Sequence, residues 1–181
     1  MRPDPTFAAV IIDLLRLRCG PQALAYSRTR LLKLVLLAFA LDLIATHLLD
    51  PGDDALARLA VGFGLGLLLP WWLLSWRGGT ARYVQTLTAL LSTGIVLSLV
   101  FLPLALLAIS SGLADPAAAP GPRQALVAWL ILATVVWKIA VTANIWRHAL
   151  DWPMTAGVGM SLLLFVFEFG VDRLLFGHGA T

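Results

Sequence analysis

The sequence predicts an all-α membrane protein of five transmembrane helices preceded by a short N-terminal amphipathic helix. Three observations carry that expectation. Five apolar stretches are each long enough to cross a bilayer, since about 30 Å of hydrocarbon takes roughly 20 helical residues. The 181-residue chain is 60% hydrophobic and 13% charged, with a mean hydropathy of +0.88, leaving too little polar surface to coat a water-soluble domain. The basic residues between the apolar stretches also alternate from side to side, as they do when a chain is threaded back and forth through a membrane. The division expected is an interfacial segment over residues 1–26 and one five-span domain over 27–176.

Within the first segment, Phe7, Val10, Ile11, Leu14 and Leu15 recur at the spacing of one helical face, with Asp13 and Arg16 turned away. Thr6 caps its start, and Gly20 followed by Pro21 stops it. Such a helix is too short to span. It suits the headgroup plane, and the same face equally suits packing beneath the bundle. The first span, about 31–49, follows Ser27 as an N-cap and the cluster Arg28, Arg30 and Lys33, and ends at the acidic turn Asp50, Pro51, Gly52, Asp53, Asp54. The others cover about 56–76, 84–110, 124–146 and 153–172, with Pro103 expected to kink the third.

Orientation follows from counting Arg and Lys. With the N-terminus in the cytoplasm, that side collects Arg2, Arg16, Arg18, Arg28, Arg30, Lys33, Arg77, Arg82 and Arg147, whereas the other collects Arg58, Arg123 and Arg173. A nine-to-three split predicts a cytoplasmic N-terminus and a periplasmic C-terminus. Most interfacial aromatics fall on the same side: Tyr26, Trp71, Trp72, Trp76, Tyr83, Trp146 and Trp152, against Trp129 alone. Asp13, Arg16 and Arg18 interrupt the first apolar stretch and no small-residue cleavage site follows, so no secretory leader is expected. The dominance of Arg over Lys, with abundant Ala and Leu, points to a GC-rich bacterial gene and so to an inner membrane. The net charge of +3 is spread over loops beside apolar spans, which favours anionic lipid headgroups on the cytoplasmic face over nucleic acid as partner.

Cys19 has no partner for a disulfide and no neighbours for a metal site, so no cofactor or metal is expected. No HExxH or GxSxG occurs, and His47, His148 and His178 are scattered, so an enzyme is not expected either. The candidates are ionisable residues in or near the spans: Asp42, His47, Lys138, Glu168 and Asp172. A charge at mid-membrane costs at least ~2.5 kcal/mol, which makes each a functional candidate by default. Asp42 and His47 facing Glu168 and Asp172 would form an acidic outer pocket; the plainer expectation is that Asp42 hydrogen-bonds Ser or Thr of a neighbouring span while Glu168, Asp172 and Arg173 settle at the periplasmic interface. Lys138 falls in the inner half of its span, about 10 Å from either acid along the membrane normal, which argues against a direct pair. Gly62 and Gly66, Gly94 and Ser98, and Gly157 and Ser161 supply small-residue faces for close helix packing, within the chain, in a homo-oligomer or against a membrane partner.

Two functional readings follow. The leading one is a non-enzymatic scaffold or accessory subunit working through the small-residue faces and the amphipathic segment, with the next as its alternative. The other is a small proton- or cation-linked transporter using Asp42 and Glu168. The five spans, the inside N-terminus and the segment Arg18, Cys19, Gly20, Pro21, Gln22, Ala23, Leu24 and Ser27 resemble short bacterial members of the Yip1-domain family. The Asp-Leu-Tyr-Gly-Pro motif of the eukaryotic members is absent, so the resemblance implies architecture and no functional residue.

Overall fold

The computed structural model describes residues 6–49, 52, 54–113 and 121–176. Among these residues six α-helices occur in this order: α1 (Phe7–Leu15), α2 (Arg28–Leu49), α3 (Ala55–Trp76), α4 (Tyr83–Ser110), α5 (Pro122–Leu150) and α6 (Met154–Phe176). There is no strand among the described residues, and the last five helices are each long and apolar enough to cross a membrane. Three of the acidic-turn residues, Asp50, Pro51 and Asp53, lie outside the described residues, as do Arg2 and His178.

Local chemistry accounts for the boundaries. The Thr6 hydroxyl accepts from the Ala9 N–H at 3.4 Å and the Ser27 hydroxyl from the Arg30 N–H at 3.2 Å, so each helix start has a side chain for an otherwise orphaned donor. α4 continues through Pro103. α5 runs four residues beyond the expected end at Trp146. It stops where Asp151 turns left-handed at φ 53 and the Trp152 N–H closes onto the Arg147 carbonyl at 2.8 Å. Pro153 then prevents the turn from continuing as helix.

The apolar face of α1 is covered by protein. Val10 and Leu14 are buried together with Leu24, Ala89, Val141 and Ile145, which seats α1 and the segment after it against α4 and α5. Three side chains from those helices reach backbone carbonyls that no helix satisfies. The Trp137 indole N–H donates to Leu15 at 2.9 Å, the Asn144 amide to Cys19 at 2.9 Å and the Gln85 amide to Leu24 at 2.7 Å. The Arg30 guanidinium stacks over Phe7, 4.6 Å from its centroid, tying α2 to the same helix. Gly20 is needed where the segment crosses α5, because a Cβ there would come within 2.6 Å of the His148 side chain.

A second core, Leu73, Leu74, Trp146, Ala149 and Leu150, holds the end of α3 against α5. α5 and α6 pack closely at Gly157, where a Cβ would lie 2.5 Å from the Ala143 carbonyl oxygen. Arg82 and Asp151 pair at 2.7 Å between the links at this end, both exposed, so the pair contributes little to stability. The outer faces carry exposed Leu36, Leu68, Trp129, Leu163 and Val166, the surface expected of helices solvated by lipid.

Candidate functional site

The five long helices do not close completely around their centre. A cavity of ≈ 440 Å³ lies between them, and each contributes to its wall. Much of the wall is apolar, including Leu41, Leu69, Leu97 and Phe101. The small residues of the sequence make this space. Gly66 and Gly94 line it, and a Cβ added at either would meet nothing within 4 Å. Ser98 and Ser161 line it as well. Pro70, buried in α3 on the same wall, has no N–H to donate, so the Gly66 carbonyl four residues earlier loses its helical partner.

Asp42, Lys138 and Glu168 all line this cavity. Asp42 lies fourteen residues beyond Arg28, Glu168 fourteen beyond Met154, and Lys138 twelve before Leu150. At ~1.5 Å per residue the three sit within one turn of a common level, roughly 18 to 21 Å from the same end of the bundle. Among the described residues no ion pair within 4.0 Å joins Lys138 to either acid, so the three share the lining without a direct contact.

The other candidates are placed differently. His47 is exposed near the end of α2 and does not line the cavity. Asp172 falls within α6, and its side chain lies outside the described residues. Gly62 is exposed with open space beside it, whereas Gly157 is buried against α5.

Two further residues belong to the site that sequence patterning did not single out for it. Trp146 lines the cavity at 1% exposure, and its indole N–H has no hydrogen-bond partner among the described residues. Ser161, at 5% exposure on the same lining, has a hydroxyl likewise unpartnered among them. Trp146 read as an interfacial ring and Ser161 as a packing residue, so neither carried a polar signal.

Near the basic end lies a second, polar cavity of ≈ 180 Å³, lined by Gln85, Thr86, His148 and the Arg82–Asp151 pair. His148 Nδ1 sits 2.8 Å from the Asn144 carbonyl, which can only accept, so Nδ1 is the donor there. Cys19 is half-covered nearby, and burial, with a smaller contribution from Asp13, pushes its thiol above the usual range. No family model, curated protein or solved structure matches this chain, so the chemistry of the cavity is read from its own residues.

Proposed function

We propose that this protein is a small proton- or cation-linked membrane transporter, non-enzymatic, whose working site is the central cavity. The observation that carries the reading is that two carboxylates and one ammonium, drawn from three helices, line a single cavity. Charged residues at this depth are costly, and facing one another across a cavity is the arrangement that makes them tolerable. With all three ionised the site carries one surplus negative charge. Taking up a proton or a monovalent cation brings it to neutrality, the state a low-dielectric membrane interior favours. Loaded and unloaded sites therefore differ in electrostatic cost, which is what couples occupancy to conformation.

The setting that goes with this reading is a bacterial inner membrane, with the N-terminus in the cytoplasm and the exposed Arg16, Arg18, Arg28 and Lys33 against anionic headgroups. A second reading, association with another membrane chain, is favoured by the open space beside the exposed Gly62 of α3. The test of the first is proton or cation flux in reconstituted vesicles, comparing the parent with the Asp42→Asn, Glu168→Gln double variant. Flux in the parent that is lost in the variant is expected. Its absence from the parent contradicts transport and leaves association standing.

A further inference from the structure

Resting on the transport reading, we infer that the cavity binds a small amphipathic organic cation that also carries a hydrogen-bond acceptor. Size and wall chemistry point there first. A space of ≈ 440 Å³ is the volume of about fifteen liquid waters and falls in the range of small-molecule pockets, which are mostly apolar with a few placed polar groups. A hard divalent cation needs a tight cage of oxygens, and a wall of Leu41, Leu69, Leu97 and Phe101 does not supply one.

Charge sets the sign. Asp42 and Glu168 outnumber Lys138, so the cavity favours an occupant with one positive charge. The Gly66 carbonyl, deprived of its helical donor by Pro70, adds a neutral acceptor on the same wall. An ammonium, with only donors to offer, matches these three groups.

The opposite requirement comes from Trp146 and Ser161. An indole N–H can only donate, and a hydroxyl can donate, so both are completed by an acceptor. Glu168 lies seven residues farther along α6 than Ser161, or about 10 Å. The occupant therefore places an acceptor and a cation that far apart, with an apolar body between them against the Leu and Phe side chains.

The test is calorimetric titration of the full chain in lipid nanodiscs, subtracting nanodiscs without protein, with three probes: ω-aminooctanamide, octylamine and octanamide. ω-Aminooctanamide should bind tightest. Asp42→Asn and Glu168→Gln should each weaken both amines by about tenfold, the loss of one charge-assisted bond, while octanamide binding stays unchanged and shows that the variants are folded. Ser161→Ala and Trp146→Phe should weaken the two amides and spare octylamine. Equal binding of octanamide and ω-aminooctanamide, or amines indifferent to both acid variants, would overturn the cation assignment. Amides indifferent to Ser161→Ala and Trp146→Phe would overturn the acceptor, and no binding by any probe would overturn the inference as a whole. Proton or cation flux that depends on Asp42 and Glu168 survives each of these results, so the transport reading stands or falls separately.

Discussion

Lys138 lies level with Asp42 and Glu168 because α5 continues past Trp146. An end at Trp146 is what an interfacial ring suggests, and it leaves Lys138 too shallow to meet the acids. The four residues to Leu150, followed by a left-handed Asp151, shift the register by about one helical turn. Asp42 and Glu168 were legible as candidates because a carboxylate in an apolar span is costly whatever surrounds it. Their partner was not, since facing and depth depend on where neighbouring helices stop. Replacing Lys138 by Met leaves two carboxylates uncompensated and should lower thermal stability, and adding Glu168→Gln should recover part of the loss. A double-mutant cycle in detergent should return a coupling of about 1 kcal/mol, typical of residues sharing one network. Strict additivity would show that the charges do not sense one another. Cys19, its thiol pushed up by burial and by Asp13, should be alkylated more slowly at neutral pH than an exposed cysteine, because the thiolate is the reactive form.

At the level of elements, the helices were readable to within a few residues because long apolar runs bounded by Ser27, Gly20–Pro21 and Pro153 leave little choice. The partner of α1 was not readable. An apolar face of Val10 and Leu14 is as well suited to acyl chains as to Ala89, Val141 and Ile145, and only tertiary packing decides between them. Leu14→Ala should therefore destabilise by about 2–5 kcal/mol, as for a buried core leucine, measured by thermal unfolding in detergent. A helix lying free in the headgroups would lose far less. The glycines divide in the same way, because a small residue reads alike whether it admits a helix or opens a space. Gly157→Leu should break the contact of α6 with the Ala143 carbonyl and sharply lower stability, whereas Gly62→Leu, with nothing within 4 Å, should leave the isolated chain unchanged. Comparable losses at the two positions would mean that α3 has a neighbour at Gly62.

For the whole molecule, hydropathy reports how many helices cross the bilayer and basic residues report which way they run, but neither reports how tightly the helices close on one another. That is why the five-span architecture was legible and the cavity was not: Gly66, Gly94 and Ser98 hold it open only in the folded bundle. Threading has its own test. A reporter inserted near Gly79 should read as cytoplasmic and one fused after Thr181 as periplasmic, and a cytoplasmic C-terminus would reverse the expectation. The proposed transport site requires that water and charged solutes reach the cavity between the helices while their outer faces meet lipid. Thiol accessibility in vesicles measures this directly, in a chain carrying Cys19→Ser and one new cysteine, either Ser98→Cys on the cavity wall or Val136→Cys on the exposed face of α5. With a charged, membrane-impermeant thiol reagent applied to both sides, the account predicts rapid labelling of Ser98→Cys and none of Val136→Cys. An unreactive Ser98→Cys, or equal labelling of the two, would contradict it.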